Sequence, residues 1–177
     1  MPLVLNNLLP EDIRILKAQV VGKKFSARFS AKSKEYEYLI FNGRELPVHL
    51  RNQVWRVWPR LNLAAMRGAA KVLVGRHDFS SFCASGSDDK NKVRTIHKIS
   101  IKRRHLSALG GKRLAVLAVR VTGNGFLYKM VRNMVGTLVY AGLGKIKEVK
   151  TVLVSRDRRL AGKTAPPQGL SLIKVNY

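Results

Sequence analysis

Arg132 is the residue whose type and position most directly suggest chemistry. It lies within a mainly apolar stretch, residues 128–136, whose spacing predicts a helix. A guanidinium in such a helix must either extend to solvent or pair with a carboxylate, because an unpaired buried charge is strongly destabilising. The chain has only ten Asp and Glu residues, and Asp78 and Asp157 are the candidate internal partners.

Two tyrosines form a second candidate feature. Tyr36 and Tyr38 alternate with Glu35 and Glu37 in a segment that predicts a strand. Because strand side chains alternate between faces, both tyrosines point to the same side. That side is either a core-packing surface, which is the default expectation, or a platform on which a base stacks.

The third group of candidate residues is basic. The cluster comprises Lys98, Lys102, Arg103, Arg104 and His105, with Lys112 and Arg113 across a predicted turn at Gly110-Gly111. A charge run is usually a solvated face, but at this overall charge a phosphate-binding arm is at least as well supported. The turn of Gly123, Asn124 and Gly125 before the main helix could present backbone N–H groups to a phosphate, although other tight strand-to-helix turns look the same.

The segment from Gly75 to Asp78 gives weaker evidence of a functional site. His77 has a side chain that can act as a base, but no nucleophile accompanies it. Asp78 followed by Ser80 is typical of an Asx or Ser turn after a helix end. The four histidines are too dispersed for a metal site, so we expect none.

Charge narrows the class of partner. The chain has 34 Lys and Arg residues, a net charge of +24 and a pI near 11.1. Self-repulsion at this charge favours a polyanionic partner, and phosphate backbones are the commonest one.

No apolar stretch reaches about 18 residues, so we expect no membrane span. The single Cys83 excludes an intrachain disulfide and a Cys-rich zinc site, and residues 1–10 do not resemble a signal or transit peptide.

The elements that must position these residues are predicted from periodicity. Alternation predicts strands at 14–21, 34–41, 94–104, 112–122 and 170–175, the third with a phase slip. Helical spacing predicts helices at 61–73, 126–143 and about 146–155, with Gly75 as a stop after the first. This order indicates an α+β fold, a mainly antiparallel sheet with helices packed on one face. The other face is then free to meet a ligand.

Seven stretches together resemble the TruA-type tRNA pseudouridine synthases. They are LNNLLPEDI at 5–13, FSARFSAK at 25–32, KEYEY at 34–38, HDFSSF at 77–82, RTI at 94–96, GNGFLYKMVRN at 123–133 and TAPPQGL at 164–170. They occur in the family's order and cover nearly the whole chain. The resemblance is to the C-terminal half of such enzymes: a single domain over 1–177, with residues 1–24 as a link segment.

This resemblance implies isomerisation of uridine to pseudouridine in tRNA, without a metal or organic cofactor. In such enzymes an aspartate starts the chemistry, a tyrosine stacks on the flipped uracil and an arginine pairs with the aspartate. Tyr36 matches the tyrosine, with Tyr38 as the second choice, and Arg132 matches the arginine. The residues that we expect to contact RNA are Arg28, Lys32, Tyr38, Arg94, Lys98, Lys102, Arg103, Arg104, Lys112, Arg113, Asn124 and Lys129.

The chain also departs from the family pattern. The family's aspartate lies in a Gly-Arg-Thr-Asp motif, and no such string occurs in these 177 residues. Ser26 stands where the family's Phe-His-Ala-Arg motif has histidine. If Arg132 is buried, it must therefore find Asp78, Asp157, a phosphate or another chain, or else turn outward.

Three functions remain. The chain is one half of a synthase whose aspartate comes from a separate N-terminal segment, or an RNA-binding component of a ribonucleoprotein such as the ribosome, or a generic nucleic-acid-binding module. The motifs count against the third. We predict an RNA-binding chain that is not catalytic on its own. Its expected partners are tRNA or ribosomal RNA, an N-terminal synthase fragment or ribosomal proteins, and a second copy of itself. We expect it in a bacterial cytoplasm or in the matrix of a mitochondrion or plastid.

Overall fold

The computed structural model describes residues 2–107, 111 and 113–177. The chain divides into two compact units, Met1–Ser30 and Ala31–Tyr177. The first unit contains one short helix, α1 (Pro2–Asn6). The side chain of Asn6 donates to the Ile15 carbonyl (3.0 Å) and accepts from the Ile15 amide (2.8 Å). Asn6 therefore fixes the backbone that follows α1.

The strand predicted at 14–21 is wrong. None of these eight described residues is in a helix or strand, and Leu16 and Val20 are 90% and 99% exposed. A segment with alternating apolar residues forms a strand only where a neighbouring strand supplies partners for its backbone hydrogen bonds and a packed layer covers one of its faces. Here Ile15 makes its backbone hydrogen bonds with the Asn6 side chain instead.

A six-stranded sheet organises the second unit. Its strands are β1 (Ser33–Asn42), β2 (Trp55–Val57), β3 (Gly75–Asp78), β4 (Val93–Ser107), β5 (Arg113–Gly123) and β6 (Leu170–Asn176). The order is β2-β1-β5-β4-β3, and β6 pairs with the first part of β1 along the edge that β2 uses further on. Of the described pairings, β1 with β2 is the parallel one, so the sheet is mainly antiparallel as predicted.

The hairpin of β4 and β5 confirms two predicted strands. The antiparallel register shifts between Ile96 and Lys98. This irregularity explains the phase slip in the sequence, because one extra residue reverses the face that the following side chains occupy. Gly110 of the predicted turn and Lys112, the first residue of the predicted strand, lie outside the described residues.

Three helices confirm the predicted ones with shorter bounds: α2 (Leu63–Val72), α3 (Met130–Gly142) and α4 (Val149–Ser155). α3 begins at Met130 rather than at 126 because Lys129 has a φ of 55°, a left-handed conformation that a helix cannot contain. The Asn62 side chain caps α2 by accepting from the Ala65 amide (3.1 Å). Among the described residues, no helix is long and apolar enough to cross a membrane.

The helices cover one face of the sheet. Tyr38 and Ile40 of β1 and Val119 and Val121 of β5 are fully buried in the same cluster as Met134 of α3. This arrangement confirms the α+β fold with helices on one face. A smaller apolar cluster formed by residues on the opposite side of β1 and β5 contains Phe41 and Val116.

Candidate functional site

Tyr36 lies in β1, between Val121 of β5 and Leu172 of β6. Its ring meets the ring of Phe126 edge-on, with centroids 5.1 Å apart and an interplanar angle of 87°. The side chain is only partly buried. An aromatic ring that is fixed by an edge contact and keeps exposed surface is able to stack on a base.

Tyr38 has a different environment, although it shares a face with Tyr36. It is fully buried, and its hydroxyl donates to the Pro166 carbonyl (2.6 Å). Burial raises the pKa of Tyr38, and the positive charge of Arg132 partly opposes this shift. The core-packing interpretation therefore applies to Tyr38, and we do not carry its expected RNA contact forward, because no part of the side chain is accessible.

Arg132 lies in the first turn of α3 and is half-buried. Its Nε donates to the Ala165 carbonyl (2.7 Å), and its own backbone carbonyl accepts from the Ala165 amide (3.2 Å). Tyr38 donates to the carbonyl of the next residue, Pro166. Arg132 and Tyr38 thus contact consecutive residues, which places Arg132 on the side of β1 that carries both tyrosines.

No carboxylate among the described side chains forms an ion pair with Arg132. Asp78 pairs with Arg156 at 3.1 Å, and Asp157 pairs with Arg159 at 2.7 Å. Both candidate internal partners are therefore engaged elsewhere. Of the alternatives that the sequence left for Arg132, a phosphate, another chain or an outward orientation remains.

Asp78 has the turn geometry expected from its sequence. Its Oδ1 accepts from the Ser80 amide (2.9 Å) and the Ser80 hydroxyl (2.6 Å). The hydroxyl hydrogen bond is the main reason that the pKa of Asp78 is lowered, and Arg156 lowers it further. The His77 ring contacts the Val74 carbonyl (3.0 Å). Within the described part of the chain, no group of three or more His, Cys, Asp or Glu side chains is arranged to hold a metal ion.

A charged groove of about 370 Å³ lies on the sheet face opposite Tyr36 and Tyr38. Its charged lining consists of Lys98, Lys102, Arg103, Arg104, Arg120, Glu35 and Glu37. Arg103 pairs with Leu117 in the β4–β5 register, so alternation directs its side chain to the other face. The other four cations thus face two carboxylates. Of the predicted RNA-contacting residues, Lys98, Lys102, Arg103 and Arg104 line this groove.

Glu37 organises the groove, and the sequence analysis did not identify this role. It is 3% exposed and accepts from Arg104 Nη1 and from Arg120 Nε (2.7 Å). The hydrogen bond from Arg120 to Glu37 is the main cause of the raised pKa of Arg120. Strand alternation places Arg120 on the face away from Val119 and Val121. That alternation is the sequence signal that could have identified Arg120 as a residue of the groove.

Two other predicted RNA contacts have structural partners. Asn124 exchanges hydrogen bonds with Thr95: its amide donates to the Thr95 carbonyl (3.0 Å), and its side chain accepts from the Thr95 amide (2.9 Å). Arg94 donates to the Asn91 carbonyl (2.9 Å) and pairs with Asp89 (3.3 Å). These contacts fix the start of β4.

Three further predicted RNA-contacting residues lie on the surface of the second unit. Lys32, Arg113 and Lys129 are exposed, and the Lys129 ammonium lies 4.8 Å from the centroid of the Tyr128 ring. Arg28 belongs to the Met1–Ser30 unit. Lys112 lies outside the described residues.

Comparison with known proteins agrees with the resemblance. A family model described as tRNA pseudouridine synthase matches residues 69–177. The "tRNA pseudouridine synthase A" of Thermoanaerobacter sp. (strain X514) is 45% identical over 179 residues, which cover 100% of this chain and 70% of the relative. That of Bacillus subtilis (strain 168) is 45% identical over 178 residues, 99% of this chain and 68% of the relative. The chain therefore belongs to the tRNA pseudouridine synthase family.

Proposed function

We propose that this chain binds RNA and does not isomerise uridine by itself. The observation that carries the proposal is the state of Arg132. Its guanidinium contacts the Ala165 carbonyl, and no described carboxylate pairs with it. In the mechanism that the resemblance implies, this arginine pairs with the aspartate that starts the reaction. The 177 residues contain no Gly-Arg-Thr-Asp string that would supply that aspartate.

Two features support RNA binding. Tyr36 offers a partly exposed ring, and stacking on an aromatic ring returns about 1–3 kcal/mol of the few kcal/mol that extruding a base costs. The groove on the other sheet face offers four cations against two carboxylates, which suits a phosphodiester backbone. The RNA is tRNA, which the relatives' names specify, or ribosomal RNA.

Tritium release tests the catalytic half of the proposal. A tRNA transcript labelled at uridine C5 loses its tritium when pseudouridine forms, because the new C–C glycosidic bond replaces the C5–H bond. We expect no release above the protein-free background from the purified chain, and release from the full-length Thermoanaerobacter relative under the same conditions. Turnover by the 177 residues alone would refute the missing-aspartate argument.

A second candidate is an active synthase whose aspartate comes from another segment. One observation favours it. Among the described strands β6 pairs only with β1, and its Leu172 and Ile173 are 52% and 47% exposed. A free edge with apolar side chains is a surface to which another chain can add a strand.

The second candidate is tested by adding the part of the Thermoanaerobacter relative that the match leaves out. If that part supplies the aspartate, tritium release appears only in the mixture, and an Arg132→Met variant of this chain abolishes it. If the two polypeptides co-elute and the mixture releases no tritium, the split-enzyme alternative fails.

The third candidate function is that of a fixed component of a ribonucleoprotein, and the ribosome is the first ribonucleoprotein to consider. The net charge of +24 favours it, since such components neutralise many phosphates. Isolation of the chain from a bacterial cytoplasm or an organelle matrix distinguishes the candidates. Co-purifying ribosomal RNA and ribosomal proteins support this role, an N-terminal synthase fragment supports the split enzyme, and a second copy of the chain indicates a homodimer.

A further inference from the structure

Residues 162–166 form a segment that contacts both Arg132 and Tyr38. The Thr137 hydroxyl accepts from the Gly162 amide (3.0 Å), and the Arg158 side chain makes further hydrogen bonds to the segment. The Arg158 guanidinium donates to the Gly162 carbonyl (3.0 Å) and to the Thr164 hydroxyl oxygen (2.9 Å). It also donates to Asn133 Oδ1 (3.0 Å), which belongs to α3. One guanidinium therefore joins the segment to the helix that carries Arg132.

The acceptors of Arg158 are all neutral. No carboxylate in the described ranges pairs with it, it is partly buried, and burial lowers its pKa. A cation in this position loses hydration without gaining an opposite charge. The planar fork of an arginine can, however, fix several acceptors at once in one geometry. Arg158 is therefore better suited to fixing the positions of these acceptors than to stabilising the folded protein.

Asn133 transmits this geometry to α3. It is fully buried, its Nδ2 donates to the Phe82 carbonyl (2.7 Å), and its Oδ1 accepts from Arg158 and from the Thr164 hydroxyl (2.7 Å). Its neighbour in sequence is Arg132, whose Nε donates to Ala165, the residue after Thr164. Asn133 follows Arg132, Thr164 precedes Ala165, and these two neighbours are hydrogen-bonded to each other. They therefore fix both ends of the Arg132–Ala165 contact.

We propose that Arg158 is a positioning residue for Arg132. By holding Gly162 and Thr164 against Asn133, it fixes the Ala165 carbonyl, and that carbonyl orients the Arg132 guanidinium. The catalytic meaning of this orientation rests on the role proposed above for Arg132, whereas the orientation itself does not depend on RNA.

The experiment measures hydrogen exchange of the Arg132 Nε–H in the ¹⁵N-labelled full chain by NMR, without RNA. In Arg158→Met we expect roughly tenfold faster exchange at Arg132 Nε, the change that corresponds to loss of one charge-assisted hydrogen bond. The backbone amides of α3 should keep their protection. Arg159→Met is the matched control, because Arg159 is 90% exposed and pairs with Asp157, and it should change nothing at Arg132.

Unchanged exchange at Arg132 Nε in Arg158→Met would overturn the proposal. If Arg158→Met instead loses α3 protection as well, Thr164→Val decides, since it removes only the hydroxyl that links Arg158 and Asn133. Faster exchange at Arg132 Nε with α3 intact then supports positioning. Unchanged exchange, or a second loss of α3, shows that the network only holds the fold. A failure of RNA binding would leave all these results unaffected, so the two proposals fail separately.

Discussion

At the scale of residues, the structure separates side chains that the sequence presents as equivalent. Alternation correctly places Tyr36 and Tyr38 on one face, but it cannot tell which one keeps exposed surface. That depends on the Pro166 carbonyl, which lies 128 positions away in sequence and accepts from the Tyr38 hydroxyl. In the same way, the sequence identifies Arg132 as unusual, but not the Ala165 carbonyl that its Nε contacts.

The two tyrosines should respond differently to substitution. Tyr36→Leu should weaken binding of an unmodified tRNA transcript by about 1–3 kcal/mol, because a stacking surface is lost. Tyr38→Phe should leave RNA affinity unchanged and lower the free energy of unfolding by about 1 kcal/mol, because its hydroxyl no longer donates to Pro166. Fluorescence anisotropy and urea unfolding measure the two quantities. Equal losses of RNA affinity in both variants would contradict this assignment.

Asp78 should make stability depend on pH. Its pKa is lowered in the folded protein by Ser80 and Arg156, so the folded state binds a proton less readily than the unfolded state. The resulting stabilisation is complete well above the ordinary carboxyl pKa of 3.8 and is lost as pH falls through the lower folded value. Asp78→Asn should therefore lower the free energy of unfolding by about 1–2 kcal/mol at neutral pH and by less below the ordinary value.

Urea unfolding of both proteins across this pH range measures that difference. Asp88→Asn is the matched control, because it removes the same charge from an exposed position and should give a small difference that hardly changes with pH. An Asp78→Asn difference that grows as pH falls would have the wrong sign for a lowered pKa.

At the scale of elements, long periodic segments were predictable and short ones were not. β1, β4, β5 and β6 and the three helices α2 to α4 follow from alternation or helical spacing. β2 and β3, of three and four residues, are too short to show a period, and they form because a neighbouring strand is available. Residues 14–21 show the converse, since they alternate without forming a strand. Periodicity predicts what a segment can form, and its neighbours decide whether it does.

The close approach of α3 to Lys163 depends on Gly136. A Cβ at Gly136 would lie 1.7 Å from the Lys163 carbonyl oxygen, a backbone atom that cannot move without displacing the segment that carries Ala165. Gly136→Ala should therefore lower the free energy of unfolding by about 3 kcal/mol or more. Gly68→Ala is the matched control in α2. It meets nothing within 4 Å, so it should stabilise the protein by about 0.5–1 kcal/mol. Thermal or urea unfolding checks both signs, and a neutral Gly136→Ala would contradict the close approach.

At the scale of the whole molecule, the two faces of the sheet divide the candidate functions. The helix-covered face carries Tyr36 and Arg132, the two residues that match the family's tyrosine and arginine by resemblance. The opposite face carries the groove, where Glu37 holds Arg104 and Arg120 and leaves Lys98 and Lys102 without an ion pair among the described residues. The composition predicts a polyanionic partner, but it cannot show that the two sheet faces differ. This difference arises because side chains alternate between faces along β1, β4 and β5, and the pairing register aligns them.

The salt dependence of RNA affinity tests whether the groove contacts phosphates. Each phosphate neutralised by a lysine contributes about 0.7–0.9 to the slope of log affinity against log salt concentration. Lys98→Gln with Lys102→Gln should therefore reduce that slope by about 1.4–1.8, and affinity for the tRNA transcript should fall most at low salt. Lys71→Gln with Lys150→Gln removes the same charge from exposed positions on α2 and α4, and it should leave the slope nearly unchanged. Equal reductions in both double variants would mean that net charge, rather than the groove, attracts the RNA.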